Sequence, residues 1–283
     1  MAQPNGKKSG VGRPDLATIG GVVLVLAGIL GGLILEGGSL KDIAQLTAAL
    51  IVVGGTFGAV LIHTPLGIVQ GASRRVMAVF FDASQPPAAI IEEIIGYATK
   101  ARRNGLVSLE GEAERVADPF LRKALSLAVD GTDLQEIRKM LELAITVEEH
   151  QAESEAKVFE SAGGYAPTIG IIGAVMGLIQ VMKNLANIDE VGHGIAVAFV
   201  ATVYGVGLSN LLLLPAANKI KARAREESSR KELILEGVVG IVEGLNPKLI
   251  RSKLDAYCHA PSPAKKGTES RSVAAADPEA SGA

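Results

Sequence analysis

The stretch AGGYAPTIGIIGAVMGLIQVM, residues 162–182, contains no Asp, Glu, Lys or Arg. A helix needs about 20 apolar residues to cross the hydrocarbon core of a bilayer, and this stretch is long enough. Three further stretches have the same character, at about residues 16–35, 43–63 and 194–216. Because a soluble core rarely supplies four such runs in one chain, we predict an integral membrane protein with four transmembrane helices.

The links between these stretches predict how the helices are arranged. Residues 36–42 and 183–193 are short connections, which make the joined helices antiparallel neighbours and give two hairpins. Each short link holds one basic residue, Lys41 or Lys183. Basic residues are more frequent before the first stretch, after the second and after the fourth, and cytoplasmic segments are enriched in Lys and Arg. We therefore expect both termini and the long middle segment to be cytoplasmic.

The composition limits the functions open to the chain. The formal net charge is −2, so no nucleic-acid partner is expected. Cys258 is the only cysteine, which excludes an intrachain disulfide and a thiolate metal cluster. The sequence lacks a phosphate loop and the common hydrolase and metalloprotease motifs. We expect no enzyme activity and no bound cofactor or metal.

The fold class that follows is an all-α integral membrane protein, with four transmembrane helices in two hairpins and a helical cytoplasmic domain. Within the cytoplasmic segments, Pro87, Gly105, Asp118 and Asp133 mark the predicted starts and stops of helices. The predicted division of the chain is an N-terminal tail 1–15, a first hairpin 16–64, a cytoplasmic domain 65–160, a second hairpin 161–217, a cytoplasmic helical region 218–258 and a disordered tail 259–283.

Small and hydroxyl side chains stand out within the spans. Glycines recur in the first three stretches, and small residues let helix backbones approach closely, so we expect a compact, oligomeric bundle. Thr202 and Ser209 are seven residues apart on one helix face. Each hydroxyl could line a polar path or bond to its own helix. Pro167 is either a first-turn proline of the third span or a hinge between that span and the cytoplasmic segment.

The lack of charge in the spans constrains any transport activity. Proton or cation transport through a bilayer normally uses a buried Asp, Glu or Arg, and none of the four stretches has one. If the chain takes part in ion flow, a partner protein must therefore bring the carboxylate.

Several long segments resemble one protein family. They are YAPTIGIIGAVMGLI at 165–179, AVAFVATVYGVGLSNLLLLPAANKIK at 196–221, RRNGLVSLE at 102–110, EEHQAESEAKVFESAGGYAP at 148–167 and EGLNPKLI at 243–250. Together with the predicted arrangement of helices, they resemble the MotA/PomA family, the A subunits of the bacterial flagellar motor stator. The resemblance covers about residues 16–257.

The resemblance implies a function and partners. In this family, five A subunits surround two copies of a MotB-like B subunit, which has a single membrane helix with an ion-binding Asp. Ion flow across the inner membrane turns the ring, and the cytoplasmic domain pushes the rotor protein FliG. The implied activity is torque generation for bacterial motility, and the implied location is the inner membrane, in a multi-pass arrangement with both termini cytoplasmic.

The same resemblance assigns roles to individual residues. Arg102 and Glu110 match the charged pair that engages FliG, although without the resemblance they are an ordinary solvated surface. The two prolines that couple ion flow to motion correspond to Pro167 and Pro247. Thr202 matches a threonine of the ion path.

Ala174 decides which ion is expected. Sodium-driven members of the family carry a second threonine where this chain has Ala174, and its loss removes an oxygen that Na⁺ would need in place of water. The expected coupling ion is therefore the proton, with sodium less favoured.

Three other functions compete with this reading. An ExbB/TolQ-type energiser, which uses proton flow to drive a periplasmic partner, resembles the chain in its last two spans but has a single helix before its cytoplasmic domain. The first hairpin argues against it. A self-contained channel would need charge in the spans. A passive membrane scaffold is the third alternative.

Overall fold

The computed structural model describes residues 13–14, 16–79, 81–82 and 86–259. The predicted tails 1–15 and 259–283 lie almost wholly outside the described residues. Within the described residues the chain is helical, apart from turns, links and one pairing of two short strands. Strand β1, Arg13–Pro14, pairs antiparallel with strand β2, Phe81–Asp82.

The helices differ greatly in length, from one turn to 50 residues. In chain order they are α1 Leu16–Leu35, α2 Leu40–Ile43, α3 Leu46–Ala49, α4 Gly55–His63, α5 Leu66–Val79, α6 Pro87–Asn104, α7 Glu110–Ala113, α8 Pro119–Val129, α9 Leu134–Lys183, α10 Ile188–Gly207, α11 Leu214–Val242 and α12 Pro247–His259. The π-helical turn Leu50–Gly54 joins α3 to α4, and the π-helical turn Leu208–Leu213 joins α10 to α11, each without a break in the helix. A 3₁₀ turn, Leu106–Leu109, precedes α7.

Three helical stretches of the described residues are long and apolar enough to cross a membrane. They lie in Leu46–His63, in α9 and in the continuous helix Ile188–Val242. The apolar part of α1 with described side chains, Gly20–Leu35, is shorter than a full span. The protein is a helical membrane protein, and the number of four spans stays a prediction.

Helix α1 lies apart from the rest of the subunit. Its side chains from Gly20 onward are exposed or half-buried. A Cβ atom built on any of its glycines would have no neighbour within 4 Å. Within one subunit, none of the described residues packs against these glycines, so their expected packing in an oligomeric bundle stays a prediction.

The segments predicted to be cytoplasmic form a lobe with one apolar core. Leucine and isoleucine side chains from five helices meet there without solvent contact, among them Ile94, Leu125, Leu141, Ile234 and Leu254. Burial of this apolar area is the main force that holds the helices of the lobe together.

The predicted helix ends in the lobe are confirmed. Helix α6 begins at Pro87 and ends before Gly105, whose φ of +80° favours glycine. Asp118 caps α8 by accepting hydrogen bonds from two backbone N–H groups, and Asp133 caps α9.

Helices α9 and α11 connect the lobe to the membrane-spanning part. Helix α9 has 50 residues, which corresponds to about 75 Å. Three ion pairs join it to α11: Glu160 with Lys221 at 2.6 Å, Glu148 with Lys231, and Arg138 with Glu236 at 2.8 Å. The predicted domain boundaries near residues 160 and 217 fall inside these two helices, so they mark a change of polarity and not a helix end.

Candidate functional site

Helices α9 and α10 pack along a seam of glycines, which we call the glycine seam: Gly170, Gly173, Gly177, Gly194 and Gly205. A Cβ atom on Gly205 would lie 2.5 Å from the carbonyl oxygen of Ala166, and one on Gly177 would lie 2.8 Å from that of Gly194. Because real side chains do not approach backbone so closely, a side chain at Gly177 or Gly205 would force the backbone to shift. The prediction of close backbone approach is confirmed here.

Pro167 lies inside α9, far from its first residue, Leu134. The interpretation of Pro167 as a first-turn proline is wrong, because α9 runs without a break from Leu134 through Pro167 to Lys183. A proline at this position removes the backbone N–H that would bond to the carbonyl of Gly163, four residues earlier. The bend or strain expected at such a site falls within the membrane-proximal part of α9.

The hydroxyls of Thr202 and Ser209 have different partners. The Thr202 hydroxyl donates to the carbonyl of Ala198 in its own helix, at 3.2 Å, which is the local bond expected of a helical threonine. The hydroxyl of Ser209 instead donates across to α9, to the carbonyl of Gly163, at 2.7 Å. Ser209 is buried and Thr202 is half-buried.

Ala174 and Thr202 lie next in sequence to residues that pack in the glycine seam. Gly173 meets Ala201 there, since a Cβ on Gly173 would lie 2.8 Å from the Cβ of Ala201. Ala174 and Thr202 each follow one member of this contact, and both are half-buried. The side chain at position 174 contributes no oxygen to this region.

Tyr204 ties the fourth span to the start of α3. Its hydroxyl donates to the carbonyl of Ile43 and accepts the N–H of Gln45, the latter at 3.3 Å. No partner for Tyr204 could be predicted from the sequence, although a tyrosine in an apolar span is expected to bond its hydroxyl. A buried threonine nearby in the chain, Thr56, has no side-chain hydrogen-bond partner among the described residues.

Arg102 and Glu110 stand on either side of a sharp turn between α6 and α7. Both are exposed, and neither has an ion-pair partner within the part of the chain that the structure describes. Between them, Leu109 is fully buried and anchors the turn. Lys100 pairs with Glu112 at 2.7 Å across the same turn, which fixes α6 relative to α7. Arg103, next to Arg102, is exposed as well.

A buried carboxylate that sequence reasoning missed joins α5 to α9. Glu155 is only 4% exposed, and it accepts hydrogen bonds from Arg75 and from Gln151. A Cβ on Gly71 would lie 2.5 Å from its Oε1 atom. The signals in the sequence were a glycine in an amphipathic helix and a glutamate among helix formers, which are too common to stand out.

Two partly buried carboxylates of the lobe have lowered pKa values. Burial raises the pKa of Asp118, but the N–H of Leu121 and the guanidinium of Arg230 outweigh burial and hold it below its usual range. For Glu236, burial is likewise outweighed by hydrogen bonds from Lys253 and Arg138, so its pKa is also lowered. Both residues stabilise the lobe in their ionised form.

The two prolines matched by resemblance lie in different places. Pro167 is beside the glycine seam, whereas Pro247 begins α12 in the lobe, close to the core residue Ile250. Another proline, Pro215, is the second residue after the π-helical turn at residues 208–213, and no role was predicted for it from the sequence. The signal that could have found it is its place at the end of an apolar span.

Comparisons with known proteins show which family this chain belongs to. Residues 19–102 match the motility protein A N-terminal family, and residues 112–233 match the MotA/TolQ/ExbB proton channel family. Motility protein A of Bacillus subtilis is 37% identical over 247 residues, covering 86% of this chain and 90% of that protein. The chain belongs to the motility protein A family. Chemotaxis protein PomA of Vibrio alginolyticus is 34% identical over 86% of the chain and 95% of its own length.

Solved structures of this family have the same fold. The flagellar MotAB stator complex from Bacillus subtilis superposes with a TM-score of 0.81 at 36% identity, covering 86% of this chain and 96% of that chain. The C. jejuni MotAB structure gives 0.82 at 32% identity, covering 89% and 99%. As a member of this family, the chain is a subunit of the flagellar stator. The match of residues 19–102 to the N-terminal family of motility protein A disfavours an ExbB/TolQ-type energiser.

Proposed function

We propose that this chain is the A subunit of a proton-driven flagellar stator in the bacterial inner membrane. The observation that carries the proposal is the unbroken helix α9. It runs from the lobe, where Leu141 is buried in the core, to the glycine seam with Pro167. A rigid connection of this kind passes movement at the membrane to the cytoplasmic surface, which is what torque generation requires.

The proposed topology has four spans in two hairpins, with both termini cytoplasmic. The pairing of β1 with β2 supports it, because it puts the start of the chain on the same side as the segment after α5. The basic residues Arg74 and Arg75, and Lys219 and Lys221 after the fourth span, support a cytoplasmic location for that side.

The proposed partner in the membrane is a MotB-like B subunit, with five A subunits around two B subunits. The charge-free spans support it, because an ion path needs a carboxylate that this chain does not supply. The exposed apolar side chains of α9 and α10, such as Ile172, Val175 and Phe199, leave surface for neighbouring subunits and lipid.

The proposed contact with the rotor protein FliG is made by Arg102 and Glu110. Their exposure at the turn supports this role, since charged groups steer a transient encounter without an apolar patch. Lys100 and Glu112 serve the internal pair of the turn instead. Exchanging the charges of Arg102 and Glu110 therefore tests the rotor contact, whereas exchanging those of Lys100 and Glu112 tests only the internal pair of the turn.

The experiment compares two charge exchanges in motile cells. Arg102→Glu with Glu110→Arg should abolish most torque while membrane levels and B-subunit binding stay normal. The matched control, Lys100→Glu with Glu112→Lys, keeps an internal pair and should retain most torque. Normal rotation in the first double variant would refute the rotor contact.

The proposed coupling ion is the proton. Ala174 offers no side-chain oxygen, and the Thr202 hydroxyl is bonded to its own helix, so the seam has little to replace the water around Na⁺. Pro167 and, in the lobe, Pro247 are the proposed coupling prolines. Swimming speed measured against sodium concentration at fixed pH should stay constant; strict sodium dependence would exclude proton drive.

A further inference from the structure

Proline leaves a backbone carbonyl without its usual donor, and in α9 that carbonyl belongs to Gly163. In a regular helix the N–H of residue 167 would bond to the oxygen of residue 163, but Pro167 has no N–H. In an apolar part of a membrane protein, an unpaired carbonyl is costly. A donor from elsewhere in the structure is therefore expected.

Ser209 supplies that donor. Its hydroxyl lies 2.7 Å from the Gly163 oxygen, and both residues are buried. The residue comes from the π-helical turn Leu208–Leu213, a rare form often found at functional sites. One hydrogen bond thus joins the Gly163 carbonyl, which lacks its helical donor, to the π-helical turn of the neighbouring helix.

The surrounding residues leave little freedom for this contact. A Cβ on Gly163 would lie 2.7 Å from Cδ2 of Leu214, and one on Gly205 would lie 2.5 Å from the carbonyl oxygen of Ala166. The backbone just before Pro167 is thus held against the helix that contains Gly205 and Leu214. The direction of α9 at Pro167 depends on the fourth span as much as on the proline.

We propose that Ser209 is a positioning residue for Pro167: its hydroxyl replaces the missing helical donor and sets the path of α9 relative to the fourth span. Its effect on torque rests on the proposed stator function, whereas the hydrogen bond does not. Ser209 makes no contact with the ion in this scheme and acts only through the helix that contains Pro167.

A double-mutant cycle tests the bond directly. The full-length chain, purified with its partner subunit, is followed by hydrogen–deuterium exchange in peptides that cover residues 160–172. Ser209→Ala should accelerate local exchange roughly 5- to 30-fold, because a buried acceptor loses its donor. In a Pro167→Ala background, which restores the N–H, the same substitution should change exchange by less than about twofold. Equal acceleration in both backgrounds would overturn the proposal.

Asn210→Ala is the matched control, because its side chain donates to Val206 of its own helix at 3.0 Å and should leave exchange at 160–172 unchanged. In motile cells, Ser209→Ala should lower torque at normal membrane levels, and Ser209→Thr, which keeps the hydroxyl, should restore it. Unchanged torque in Ser209→Ala would overturn the positioning role. A complex that satisfies the exchange cycle but never drives rotation in its wild-type form would refute the stator function and leave the hydrogen bond intact.

Discussion

Helix α1 and the pair α9–α10 are both apolar and rich in glycine, yet their glycines have opposite surroundings. Every glycine of α1 has open space where a Cβ would stand, whereas Gly170, Gly177 and Gly205 face backbone at less than 3 Å. Glycine content alone therefore does not predict packing. What distinguishes the two is whether a second helix with small residues at matching positions lies alongside.

The glycine seam and α1 also differ in the functions proposed for them. The glycine seam lies next to Pro167 and Thr202, the residues proposed for coupling and the ion path. Helix α1 contains no proposed site residue, and its exposed leucines, valines and isoleucines suit contact with lipid or a neighbouring subunit. Substitutions that add one methyl group separate these two environments with the least chemical change.

Gly205→Ala should have the largest effect. The added Cβ would lie 2.5 Å from the Ala166 carbonyl, and backbone cannot move aside as a flexible side chain can. Overpacking of this kind costs about 1–3 kcal/mol, more than the ~1 kcal/mol that alanine gains in helix propensity. Thermal unfolding of the purified complex and motility in cells should both be impaired. An unfolding temperature equal to that of the wild type would mean that the helices are not so closely packed.

Gly71→Ala should come next. Its Cβ would lie 2.5 Å from Oε1 of Glu155, a carboxylate held by Arg75 and Gln151, so the ion pair between α5 and α9 should weaken. Gly67 is on the same helix with open space around it, and Gly67→Ala is the control. Thermal unfolding should shift downward for Gly71→Ala and not for Gly67→Ala. Equal shifts in the unfolding temperatures of the two variants would show that helix propensity, and not contact with the Glu155 carboxylate, determines both shifts.

Asp118→Asn tests the lobe and not the glycine seam, because its effect on stability should depend on pH. Asparagine keeps the helix cap but loses the charge that pairs with Arg230. Because the folded pKa of Asp118 is lowered, its contribution is present above the unfolded pKa of about 3.9 and disappears as the pH falls through the folded pKa.

At pH 7 the variant should unfold about 2–4 °C lower than the wild type, the shift that ~1 kcal/mol produces in a chain of this size. The difference should shrink as the pH falls below about 4 and disappear below the folded pKa of Asp118. Calorimetry at both pH values measures the difference. A gap that persisted at low pH would assign it to something other than the ionised carboxylate.

Gly28→Ala in α1 should have the smallest effect. With open space at this position, the change should be neutral or stabilise the helix by up to about 1 kcal/mol. The measurement is again thermal unfolding, first of the isolated chain and then of the assembled complex. A loss of stability confined to the complex would place a neighbouring subunit against α1, which would sharpen the contrast with the seam.

Much of the fold could be predicted because its signals are local. Pro87, Gly105, Asp118 and Asp133 act on the turns next to them, and the helix ends in the lobe follow. The position of Pro167 was misjudged because hydropathy marks the edge of a bilayer and not the end of a helix. The bond from Ser209 to Gly163 joins segments 46 residues apart, which no local pattern encodes.

The length of α9 turns a small change of angle into a large displacement. The 33 residues from Leu134 to Pro167 span about 50 Å of helix. A swing of about 10° at Pro167 would therefore carry Leu134 through about 9 Å. Ion pairs bind α11 to α9 along this length, so the two helices form one lever arm. The turn with Arg102 and Glu110 belongs to the lobe at the far end of α9. A bend at the single residue Pro167 can therefore move this turn by more than the length of a side chain.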